Sequence, residues 1–142
     1  LEVDALAGEP GIHSARWMGA GTPQSERNRR IVEALEGRAT VERTARFCCA
    51  VAVCRPPIKA AGGRPGGGGE AQARVFEAAL AGFIAEKESG ERGFGYDPIF
   101  LPEEGGRPGP RTLAEISPRE KNRISHRARA LRLAAAHLSS LF

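Results

Sequence analysis

The chain has 142 residues, 41% of them hydrophobic and only 6% aromatic, the length of one domain whose core is filled by Ala, Val, Leu and Ile. Its 21 basic and 17 acidic residues leave a formal charge of +4, an excess that suits an anionic ligand but does not separate a nucleotide from a nucleic acid. No apolar run is long enough to span a bilayer and no basic-then-apolar leader opens the chain, so a soluble, intracellular protein without a membrane partner is expected.

The opening Leu1-Glu2-Val3-Asp4-Ala5-Leu6 alternates like a strand, and the only methionine is Met18, so the sequence reads as entered partway along a longer product. Pro10, Gly11, Gly19 and Gly21 around Ser14-Ala15-Arg16-Trp17 predict a loop. Thr22-Pro23 predicts a helix start, with Thr22 as the cap and Pro23 at the first helical position. Asn28, Ile31 and Leu35 share one face of that helix, which Gly37 ends.

The segment 45–54 is apolar at nearly every position, the pattern of a central strand covered on both sides and stopped by Pro56-Pro57. It carries all three cysteines: Cys48, Cys49 and Cys54. Neighbouring cysteines on a strand point to opposite faces, and His13, His126 and His137 are scattered, so buried free thiols are expected rather than a bridge or a metal site. The glycine-rich stretch 62–69 lacks the Gly-Lys-Ser/Thr ending of a phosphate loop and reads as a hairpin tip. A second strand follows over 73–85, with a bend at Gly82.

In Gly93-Phe94-Gly95-Tyr96-Asp97-Pro98-Ile99-Phe100, two glycines and a proline interrupt an aromatic, acidic stretch and predict a shaped loop whose backbone can approach a ligand. Ser117-Pro118-Arg119-Glu120 is a capping box. Ile124, Ala128, Leu131, Ala135, Leu138 and Phe142 form an apolar stripe on the C-terminal helix, and Ser125 can cap a fresh helix start near His126. Strands interleaved with helices make the class α/β, with 1–142 read as part of a single domain and no internal repeat.

Two clusters can carry chemistry. Lys121, His126 and Arg127 lie within two helical turns, where a planar fork of donors and a compact cation suit an oxygen-rich anion or a keto-bearing base. A solvated basic face accounts for that cluster at least as well. Phe94 is placed to stack on a base, and Asp97 to accept hydrogen bonds from a base or to orient a lysine; a plain turn with a local Asp97 bond is the alternative.

Taken together, Gly93 to Phe100, Thr112-x-Ala114-Glu115 and Lys121-Asn122-x-Ile124-Ser125-His126-Arg127-Ala128-x-Ala130-Leu131 resemble the inosine/xanthosine triphosphate pyrophosphatase family. Leu1 to Leu6, Gly8, Pro10-Gly11, Ser14-Ala15-Arg16 and Arg46-Phe47 match in the same order, so the resemblance covers essentially the whole chain. It implies an elongated mixed sheet flanked by helices and a cytoplasmic, Mg²⁺-dependent enzyme. Its substrates would be noncanonical purine nucleoside triphosphates (ITP, dITP, XTP), cleaved to monophosphate and pyrophosphate, and the full-length protein would be a homodimer. Under it Phe94 stacks on the base, Gly95, Tyr96 and Asp97 line the base pocket, and Lys121, His126 and Arg127 complete the pocket by reading the 6-oxo group.

The family's Thr-x-Asn-x-x-Lys loop and Asp-Asp-Ser-Gly motif are absent, the latter belonging just before Leu1. The resemblance therefore places no catalytic residue and no metal ligand in this chain. Glu2 and Asp4 alternate on a strand and read as structural, and Arg92 stands where a glycine is common. Two other classes remain: a noncatalytic nucleotide-binding remnant, and a basic nucleic-acid-binding domain, ranked last because Asp97 and His126 suit a pocket better than a phosphate-tracking surface.

Overall fold

The structure, a computed structural model, describes residues 1–55 and 72–140. Five strands form one sheet: β1 (Glu2–Val3), β2 (Thr44–Arg55), β3 (Gln72–Ile84), β4 (Phe100–Glu104) and β5 (Arg107–Pro108). They lie in sequence order, each antiparallel to its neighbour. Helix α1 (Gln24–Ala34) packs near the turn before β4, and helices α2 (Pro118–Ile124) and α3 (His126–Ser139) follow the sheet in sequence. This is the α/β arrangement read from the sequence, a long sheet flanked by helices.

The sheet is dominated by the β2–β3 hairpin, in register from Thr44 opposite Phe83 to Arg55 opposite Gln72. Side chains alternate along it, so Ala45, Phe47 and Cys49 on β2 share a face with Leu80 and Ile84 on β3. Helix α3 lies against both strands. Val3, Ile31, Leu35, Ile84, Ile99 and Phe100 are completely buried between the sheet, α1 and the 96–100 turn. Gly82 lies inside β3, which continues unbroken past it. Phe100 and the Leu101 carbonyl press on its Cα so closely that a Cβ would overlap both, a close approach that only glycine admits.

Four local expectations are corrected. β2 is covered on one face only, because α3 packs on one side while Arg46, Cys48, Ala50, Ala52 and Cys54 stand exposed on the other. The cysteines are accordingly not buried: Cys48 and Cys54 are exposed and Cys49 is half-buried, all three free. Thr22 does not cap α1, since its hydroxyl donates to the Met18 carbonyl at 2.8 Å; Pro23 occupies the cap position and the helix starts at Gln24. The C-terminal stripe is also out of phase. His126, Ala130 and Ala134 are the buried residues of α3, whereas Leu131 and Leu138 are 57% and 42% exposed. The small alanines let α3 approach the hairpin, where Phe47 and Leu80 already fill the space. Pro56-Pro57, the glycine-rich 62–69 stretch and Phe142 lie outside the described residues.

Candidate functional site

The loop over 93–97 owes its shape to two glycines and one carboxylate. Gly93 has φ +81° and Gly95 φ +62°, a left-handed backbone that ordinary residues enter at a cost. Asp97, 3% exposed, turns its carboxylate back into the loop, where Oδ2 accepts the Phe94 N–H at 2.7 Å and pairs with the Lys121 ammonium. A Cβ on Gly93 would overlap that carboxylate. Tyr96 is buried, and its hydroxyl donates to the Ser14 carbonyl at 2.8 Å, tying the loop to the 10–16 segment. Burial pushes the Tyr96 phenol up from its ordinary value, which keeps that donor protonated.

The opposite wall comes from the junction of α2 and α3. Ser117 caps α2 by accepting from the Glu120 N–H at 3.2 Å, and Glu120 accepts the Ser117 N–H at 2.8 Å. These bonds, led by the backbone one, hold the Glu120 carboxyl down at about 2. Ser125, at φ −55° and ψ 128°, interrupts the helix and caps α3 through a 3.5 Å bond from Ala128. The break puts Lys121, from the last turn of α2, and His126 and Arg127, from the first turn of α3, around one opening.

His126 is 8% exposed and stacks on Phe47, ring centroids 5.1 Å apart and planes within 8°. Its Nδ1 is buried without a hydrogen-bond partner among the described residues. Burial, reinforced by the Arg127 and Lys121 charges, lowers its pKa to about 4, so the ring is neutral at pH 7 and offers one donor and one acceptor. Phe94 is 60% exposed, with the Lys121 ammonium 4.6 Å and the Arg127 guanidinium 4.8 Å from its ring centre. Such placements are attractive because the ring face is electron-rich.

All seven residues singled out in the sequence, Phe94, Gly95, Tyr96, Asp97, Lys121, His126 and Arg127, line one cleft of about 950 Å³. Phe47, Ser14, Gln24 and Ser125 are among the other residues of its walls. An apolar concavity with a few convergent polar groups is the usual form of a small-molecule site, and this volume accommodates a nucleotide-sized ligand.

A profile of the Ham1 family matches residues 1–137. The chain belongs to the Ham1 family. It is 47% identical over 132 residues to the dITP/XTP pyrophosphatase of Geobacillus kaustophilus, covering 92% of this chain and 56% of that protein. Identity to the dITP/XTP pyrophosphatase of Bacillus subtilis is 39%, over 93% of this chain and 58% of the relative. Among solved structures, the Ham1 protein of Staphylococcus aureus superposes with a TM-score of 0.77 at 33% identity, over 99% of this chain and 64% of that one. A nucleoside-triphosphatase / dITP/XTP pyrophosphatase from Mycobacterium abscessus gives a TM-score of 0.70 at 35% identity, covering 94% and 61%. This Ham1-family chain thus spans somewhat more than half the length of the relatives it matches.

The Mg²⁺ implied by the family has no matching donor set among the described residues. No group of three or more His, Cys, Asp or Glu is arranged to hold a metal ion. Asp97 is committed to Lys121 and the Phe94 N–H, while Glu2 and Asp4 both pair with Arg46, at 2.7 and 3.1 Å. Among the cleft residues not singled out in the sequence are Gln24 and, behind His126, Phe47 as its stacking partner. The signal for Phe47 was its place on the buried parity of β2, with His126 at a helix start.

Proposed function

We propose that the cleft receives the base of a noncanonical purine nucleoside triphosphate such as ITP, dITP or XTP, and that the protein takes part in its hydrolysis to monophosphate and pyrophosphate. The observation that carries this reading is the neutral, buried His126 beside Arg127 and Lys121, all facing a cleft edged by the exposed Phe94 ring. Phe94 offers a stacking surface, and the cationic donors suit a 6-keto oxygen. Adenine presents an amino group there, so donors would face a donor and stay unpaired, a mismatch that can cost a factor of about 10⁴ in a site built for the oxygen.

The hydrolytic part rests on similarity to pyrophosphatases, because the described residues supply neither a free carboxylate at the cleft nor a Mg²⁺ site. That same observation favours a second reading, in which the chain binds noncanonical nucleotides without cleaving them. We extend the proposal to the homodimer and the cytoplasmic location that the resemblance implies; three free cysteines suit a reducing compartment.

Two measurements test this. Calorimetric titration of the chain with IMP, XMP and AMP should show binding of the first two and at least about a hundredfold weaker binding of the third. Equal affinity for IMP and AMP would remove the base-reading role. Pyrophosphate release from ITP in the presence of Mg²⁺ then separates the enzyme from the noncatalytic binder.

A further inference from the structure

Asn28 lies in the middle of α1, 2% exposed, one turn beyond the cleft residue Gln24 and 67 residues before Gly95. Its Nδ2 donates to the Gly95 carbonyl at 3.3 Å, and its Oδ1 accepts from Gln24 Nε2 at 2.9 Å. A backbone carbonyl only accepts, so the orientation of the Asn28 amide is fixed by Gly95. Buried polar side chains on a helix face are costly unless satisfied, and this one is satisfied on both atoms.

Gly95 has no side chain with which to pack, and open space surrounds the position of a Cβ there. Asp97 holds Phe94 from within the loop, through its carboxylate and its N–H, whereas the Gly95 carbonyl is held from outside by Asn28. Helix α1 is a firm support for it: Ile31 and Leu35 are fully buried beneath, and Arg27 donates to the Trp17 and Gly19 carbonyls, both at 2.8 Å.

We infer that Asn28 is a positioning residue for the cleft: by gripping the Gly95 carbonyl it holds the Phe94-to-Tyr96 backbone in the shape that receives the base. The inference rests on the base-binding reading above, and on a contact between α1 and the loop that neither sequence motif contains.

Asn28→Asp tests it with little change of size, since the carboxylate still accepts from Gln24 but has no donor for Gly95. Amide hydrogen exchange over 93–97 in the unliganded chain should accelerate about tenfold, with α3 unchanged. IMP affinity should fall about tenfold with the loss of the one hydrogen bond. Asn28→Ala, which removes the same donor without adding charge, serves if the Asp variant does not fold and should show the same localised acceleration. Unchanged exchange over 93–97 together with unchanged IMP affinity overturns the inference. Faster exchange over 93–97 in a variant of a chain that binds no nucleotide at all retains the tie and overturns the base-binding reading instead.

Discussion

The Asp97 carboxylate and the Lys121 ammonium form an ion pair across 24 residues of sequence, joining the glycine loop to the last turn of α2. Asp97 is almost wholly buried in the pair and Lys121 about one-fifth exposed. One contact thus sets the loop, the lysine and the Phe94 ring relative to one another.

Removing the lysine leaves a buried carboxylate with only the Phe94 N–H. Lys121→Ala in the hydrolytically competent protein should lower kcat/KM for ITP about a hundredfold, about 2.7 kcal/mol. It should also lower the thermal midpoint, because an uncompensated buried charge remains. Steady-state kinetics and a melting curve check both, and wild-type kinetics would exclude Lys121 from the site.

Arg127 is exposed and reaches the cleft over Phe94, so its loss should spare the fold. Arg127→Ala is expected to narrow the preference for inosine over adenosine nucleotides by roughly tenfold, with a melting midpoint close to wild type. A preference ratio that does not change assigns base reading to other residues.

His126 gives the protein an acid limit. Its folded pKa, about 4, lies below the ordinary value of 6.5, so the unfolded chain takes up a proton first as pH falls. The stability from keeping the ring neutral is full above pH 6.5 and is lost progressively from there down through pH 4. Glu120, at about 2, adds a loss that begins below its ordinary 4.5. Denaturant unfolding at pH 7, 5.5 and 4 should show the decline, and His126→Phe, which keeps the stack on Phe47, should flatten it between pH 6.5 and 4.

The two loop glycines should respond differently to a methyl group. Gly93→Ala meets both a positive φ and the Asp97 carboxylate, so it should disturb the Lys121 pair and weaken IMP binding strongly. Gly95→Ala meets open space and carries only the backbone cost of about 1–2 kcal/mol. Calorimetry and unfolding on both variants check the order, and equal losses of affinity would contradict the assigned role of Gly93.

What the sequence made legible was mostly local. The glycine spacing around Phe94 and Tyr96, the Ser117–Glu120 box and the second cap at Ser125 are each written in adjacent residues, and each is found. Burial was harder, because it depends on which partner covers a face. A run as nearly apolar as 45–54 reads as doubly covered until α3 is seen on one side only. The leucines of α3 suggested a core stripe, yet the alanines make the closer approach. Neutral His126 and the Asn28–Gly95 bond were illegible for the same reason. Each depends on a group brought from another part of the chain.

The exposed parity of β2 has a practical consequence. Cys48 and Cys54 lie six residues apart on the same face, about 20 Å along the strand, and Cys48 lines the cleft. Burial, reinforced by the neighbouring Glu2 carboxylate, pushes the Cys48 thiol up from its ordinary value and disfavours its reactive thiolate. Cys54 stands exposed at the far end of the ladder. One face of a single strand therefore offers two native thiols for labelling, distinguishable by mass spectrometry without altering any residue.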